Sequence, residues 1–392
     1  MTSVRINDIG TIATGVLDDP LSDADTIVAV DGVIEFVGNS SDAPDGPNGQ
    51  ADIVVSAGGA TVMPGLHDNH VHPVFGDFTP RQRTVDFIDS CLHGGVTTMM
   101  SAGEPHLPGR PQDAAGVKAL AILAHKSFAA ARPSGVKVHA GAVLLENDLV
   151  EEDFDDLAAA GCTLVGEIGI SGVKDADVAK QMTGWAQARG MRVMVHTGGA
   201  SIPGSGVIGA EFVVEVGADV AGHVNGGPTS LPLGDVEKIL SDTTAMVELV
   251  HNGNIATLGQ IAAMLGERDE LDRLVIGTDC PAGSGVQPLG ILRVIGHVSA
   301  LGGVAPELAV AASTGNGAQF HNLNRGRVMV GMEADLLVVD APMGSQADDA
   351  LGAFAIGDTP AVAIAMIDGE IKFTKSRNTP PPTRSITLDH KH

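Results

Sequence analysis

The chain has 392 residues, 48 of them Asp or Glu and 23 Lys or Arg, for a formal charge of −25. That balance argues against a nucleic-acid partner, because phosphate binding needs clustered cations. Hydrophobic residues make up 44% but aromatics only 3%, so aliphatic side chains must fill a core too large for one small module.

Met1 to Ile12 has no apolar stretch behind a basic start, so a signal peptide is not expected there. Short β-branched runs follow, at Thr26–Val30, Val33–Val37 and Ile53–Val55, each bounded by Gly, Asp, Asn or Pro. Similar runs return near the other end, at Asp335–Asp340 and Ala363–Ile367. The two ends are read as one small β-sandwich module, residues 1–63 plus 326–392. Between them, eight apolar runs alternate with helix-like stretches. The runs are Val62–His72, Val96–Ser101, Val136–Val143, Thr163–Ile168, Met191–His196, Val220–His223, Ala245–Val250 and Leu274–Asp279. Glu151–Ala160, Asp177–Arg189 and Leu233–Leu240 carry helical spacing. Alternation of this kind implies parallel βαβ units, and eight of them predict an α/β fold, a (β/α)8 TIM barrel over residues 64–325. The proline run Thr379–Thr383 is expected to be extended. No run nears ~20 apolar residues, so no membrane partner is expected. The three cysteines, Cys91, Cys162 and Cys280, suggest no disulfide framework and point to a reducing, cytoplasmic setting.

Candidate chemistry sits at the strand ends. His70 and His72, two apart on a strand, point to the same side and can grip one ion. Glu167, His196 and His223 each end a predicted strand, about one βα unit apart, and Asp279 ends another two units on. Strand ends of a barrel converge on one mouth. Four imidazoles with carboxylates suit two divalent ions, Zn and/or Fe, rather than Mg or Ca. Glu167 can bridge such a pair, which would give hydroxide near neutral pH. Asp279 can take the proton and pass it to a leaving nitrogen, the one catalytic role assigned here. Arg81, Arg83, Arg110, Thr197, Asn225, Thr278 and Ala282 are candidate substrate contacts, an arginine serving a substrate carboxylate as a fork. His139 is expected to be a bonded core histidine and His93 to close a helix. His251 could approach the mouth, whereas Cys280 is expected only to pack. Gly204–Gly209 matches a dinucleotide fingerprint in letters only. It starts well past a strand end, so a mobile mouth loop is expected instead.

At Pro64-Gly-Leu-His-Asp-Asn-His70-Val-His72, the two later histidines, Asp279 and Gly326–Asp340, the sequence resembles the amidohydrolase superfamily. Longer stretches resemble the enamidases of nicotinate breakdown, among them Pro80–Arg83, His93–Met99, Pro108–Pro111, Gly135–His139, Ser201–Ser205, Asn225–Thr229, Pro288–Arg293 and Thr374–Pro381. That resemblance implies metal-dependent hydrolysis of a cyclic enamide, 1,4,5,6-tetrahydro-6-oxonicotinate, to 2-formylglutarate and ammonia. It also implies a binuclear Zn or Fe centre, with Glu167 where many relatives carry a modified lysine, and a homotetramer. Three places near the mouth depart from the pattern and bear on substrate choice: Pro73–Phe75, Cys280–Gly285 and His251-Asn252. A hydrolase of another lactam, imide or dipeptide, or a deaminase, uses the same residues. A catalytically dead scaffold relative would be expected to lack one of the six.

Overall fold

The computed structural model describes residues 2–44, 51–73, 84–105, 107, 109–170, 172–200, 205–226, 230–281 and 285–390. Eight parallel strands follow one another in space: β1 Leu66–Val71, β2 Val96–Ser101, β3 Lys137–His139, β4 Leu164–Ile168, β5 Arg192–His196, β6 Val220–Gly222, β7 Met246–Val250 and β8 Leu274–Gly277. Two junctions close the ring. Val143 bridges β4 at Val165, and the backbones of His70 and His72 bond Asp279 and Cys280 beyond β8. The TIM barrel expected from the alternation is therefore the fold observed.

Helices cover the barrel: α1 Thr84–Leu92, α2 Ala114–Ala130, α3 Glu151–Ala160, α4 Ala176–Gln187, α5 Ala210–Val216, α6 Leu233–Asp242, α7 Ile255–Glu267 and α8 Gly290–Ala300. Local chemistry sets their ends. Asp113 and Asp175 accept backbone N–H bonds at the starts of α2 and α4, and Gly161 ends α3 at φ +97°. The barrel interior holds Ala102, Met194, Val220, Met246 and Val275, plugged from below by Phe320. Arg192 lies 4.6 Å over the Phe320 ring.

The two chain ends form two further sheets. One orders strands Thr387–His390, Ile53–Ser56, Ser3–Asn7, Thr26–Val30 and Val33–Gly38. The other orders Glu370–Phe373, Ala361–Ile367, Leu336–Asp340, Thr61–Pro64, Thr11–Ala13 and Leu21–Ser22. The apolar run Leu336-Leu-Val-Val339 is buried on both faces. Leu336 and Val338 face the sandwich core, whereas Leu337 and Val339 join the barrel's.

The structure divides two of the predicted runs. Val62–His72 splits at Gly65, where Thr61–Pro64 pairs with Leu336–Asp340 and the barrel strand begins only at Leu66. A Cβ at Gly65 would lie 2.2 Å from Thr97 Oγ1, so the turn needs glycine. Val136–Val143 breaks at Gly141, φ +93°, where α2 packs too closely for a side chain. A short helix in the C-terminal segment, Ala350–Ala355, packs on the barrel through fully buried Ala350 and Phe354. The proline run lies extended beside Ala341–Met343.

Candidate metal centre

Each of the six expected ligands leaves the same end of the barrel, and the structure brings all six side chains together. His70, His72 and Asp279 form one group and Glu167, His196 and His223 another. His70 Nε2 and His72 Nε2 are 3.3 Å apart, and Asp279 Oδ1 is 3.2 Å from the latter. In the second group His196 Nδ1 is 2.9 Å from His223 Nε2, which is 2.6 Å from Glu167 Oε1. Glu167 joins the groups, with Oε1 3.7 Å from His70 Nε2 and Oε2 3.7 Å from His72 Nε2. The five other side chains are almost wholly buried, but Asp279 keeps 21% of its side chain exposed. It is the member of the set open to the mouth.

The donor set fits cations. His70 Nδ1 lies 2.7 Å from Glu248 Oε2, and His72 Nδ1 lies 2.9 Å from the Gly103 carbonyl. Those acceptors hold the ring protons on Nδ1 and turn the two Nε2 lone pairs toward each other. Facing lone pairs repel unless a positive charge lies between them. His196 Nδ1 and His223 Nε2 also face each other, at closer range, so these residues could hold two ions.

Electrostatics point the same way. Burial alone would raise the Glu167 and Asp279 carboxyls. Facing imidazoles outweigh it and hold both below their ordinary range. Asp68 differs: burial pushes its carboxyl up to about 7 despite bonds from Thr278 and the His70 N–H. Backbone strain collects here too, with His223 at φ +34° and Asp279 at +58°.

The expected substrate contacts lie as follows. Arg81, Arg83 and Ala282 fall outside the described residues, as do Val74, Phe75 and Ser201–Gly204. Arg110 holds Glu146 Oε1 at 2.9 Å and the Pro111 carbonyl through one nitrogen, Nη1. Thr197 Oγ1 donates to the Gly222 carbonyl, and Asn225 bonds the backbone N–H and carbonyl of Val250. Both side chains are fully buried, so their polar atoms serve the fold. Thr278 is tied to Asp68 and Cys280 is buried. His139 accepts from Arg325, and His93 stacks on Phe373. His251 is partly buried at the end of β7. Sequence reasoning passed over Glu248, fully buried in the middle of β7. A lone acid inside Met246-Val-Glu-Leu-Val250 was the available signal, since such a strand is otherwise apolar.

A model of the amidohydrolase family matches residues 234–372. The chain is 47% identical to an enamidase of Eubacterium barkeri, over 99% of this chain and all of that one. The chain belongs to the amidohydrolase family. An enamidase crystal structure superposes on it with a TM-score of 0.93 at 46% identity, covering 99% of this chain and 100% of that one. An imidazolonepropionase of Salinispora tropica is 26% identical over 87% of this chain and 93% of its own length. The protein is thus an amidohydrolase enzyme, of a superfamily that typically uses a metal centre, and its two converging groups could hold metal. Among the described residues no helix is long and apolar enough to cross a membrane.

Proposed function

We propose that this amidohydrolase opens a cyclic enamide, most specifically 1,4,5,6-tetrahydro-6-oxonicotinate, using two divalent ions, Zn and/or Fe. His70, His72 and Asp279 would hold one ion, His196 and His223 the other, and Glu167 both. When bound, such ions polarise the amide carbonyl and acidify water. The observation that carries the reading is Asp279: it touches the imidazole cluster yet alone reaches the mouth. Its carboxylate accepts a proton from the attacking water and returns it to the ring nitrogen. The water oxygen joins the acyl carbon and the C–N bond breaks, leaving an enamine. Tautomerisation to the imine and a second water then release ammonia and leave the formyl group of 2-formylglutarate.

For a substrate carboxylate, Arg110 presents a guanidinium that among the described residues is bonded through Nη1; Arg83 is the other arginine assigned to this role. Thr197, Asn225 and Ala282 are the remaining residues assigned to substrate contact. The division into module and barrel, a homotetrameric assembly and a cytoplasmic location belong to the same proposal. It rests on the enamidase relationship and on the convergent ligand set. The test is ammonia release from 1,4,5,6-tetrahydro-6-oxonicotinate, with a chelated sample alongside. Release that chelation abolishes is expected. Undiminished release from metal-free protein would overturn the mechanism, and no release from protein holding two ions would overturn the substrate.

A further inference from the structure

Glu248 belongs to none of the six converging side chains, and β7 contributes no ligand-type group to them. Its carboxylate is nevertheless wholly buried and makes two directed contacts with one oxygen. Oε2 lies 2.7 Å from His70 Nδ1 and accepts the His223 N–H at 2.9 Å. His70 belongs to the first ligand group and His223 to the second. The Glu248 backbone carbonyl also accepts the Val224 N–H, so the corner after β6 is held by both side chain and main chain.

That corner needs holding. His223 sits at φ +34°, a conformation costly for a residue with a side chain. An N–H donated to a charged oxygen is a strong local restraint. The other oxygen, Oε1, has no hydrogen-bond partner among the described residues, and Glu248 lines a cavity of about 20 Å³ inside the barrel. A buried carboxylate placed so awkwardly is a poor structural filler.

We propose that Glu248 is a positioning residue that sets the two halves of the metal centre relative to each other. It holds the His70 proton on Nδ1, so that Nε2 faces inward, and it pins the backbone that aims His223. The inference rests on the two-ion reading above. A carboxylate behind a ligating histidine also raises that ring's basicity.

The test is zinc titration of the full, chelator-stripped chain against a chromophoric competitor, with folding followed by circular dichroism. Glu248→Met removes both contacts at similar volume. A folded Glu248→Met chain is expected to bind zinc about 10–100-fold more weakly than wild type, the usual effect of losing such a partner. Zinc affinity within about threefold of wild type in that chain would overturn the proposal. If Glu248→Met does not fold, Glu248→Gln decides, because it keeps the volume but replaces the charged acceptor by a neutral amide that holds the His70 proton and the His223 N–H more weakly. A drop of about threefold or more there, with a shift in the His70 tautomer by ¹⁵N NMR, supports the role. An unchanged tautomer and affinity overturn it. Wild-type protein that binds no zinc would instead overturn the two-ion reading, and this inference with it.

Discussion

Replacing Asp279 by Asn isolates proton transfer from the rest of the site. The residue sits at φ +58°, a region that Asn tolerates nearly as well as Asp, so the backbone needs no adjustment. The amide keeps an oxygen where Oδ1 stands 3.2 Å from His72 Nε2 and 3.6 Å from His70 Nε2. What disappears is the capacity to accept a proton. A positioned acid–base group contributes about 10²–10⁴-fold to rate. That is about 2.7–5.4 kcal/mol in the barrier. Because the side chain reaches the mouth, the loss should fall on kcat and leave much of the metal in place. The assay is ammonia release at saturating substrate, with metal content measured on the same sample. A kcat within about tenfold of wild type in a metal-replete Asp279→Asn chain would refute the assigned role.

Three further outcomes follow from the packing. Gly277→Ala would set a Cβ 2.6 Å from His70 Cβ and 3.0 Å from its backbone nitrogen, so zinc retention should fall although no ligand is changed; wild-type retention on dialysis would contradict this. Phe354→Ala empties a fully buried position between the short C-terminal helix and the barrel, and should cost about 3–5 kcal/mol in urea unfolding. A loss under about 1 kcal/mol would show that the helix is not part of the barrel core. His67 is driven well below its usual pKa by burial first and by nearby Arg325 next. The unfolded chain then binds the extra proton, so its contribution is present above about pH 6.5 and is lost as the pH falls below it. Melting temperature should drop less steeply from pH 6.5 to 5 in His67→Gln than in wild type, and parallel slopes would exclude the effect.

Local periodicity was enough for most of the architecture. The runs at Val96–Ser101, Met191–His196 and Ala245–Val250 are barrel strands, because a parallel strand buried on both faces is mostly apolar. It failed where a neighbour decided the outcome. Val62–His72 reads as one run, yet Gly65 divides it between two sheets because Thr97 lies against it. Helix Ala350–Ala355 follows the barrel in sequence but shares its core, a contact that no spacing predicts.

The site divides in the same way. Histidines and acids at successive strand ends were legible, because βα repetition alone carries strand ends to one face of a barrel. The uses of Thr197 and Asn225 were not, since their hydrogen bonds run to Gly222 and Val250 on adjacent strands. Glu248 was hidden for the same reason: its two partners, His70 and His223, are remote in the chain and meet only when the barrel closes. Sequence by itself determined the repeating unit, the histidine and carboxylate donors at the strand ends and the family likeness, all set by residue type at short range. Tertiary structure decided which polar groups face the mouth and which are consumed by the wall. A buried donor or acceptor takes whatever partner the closed barrel brings within hydrogen-bond reach.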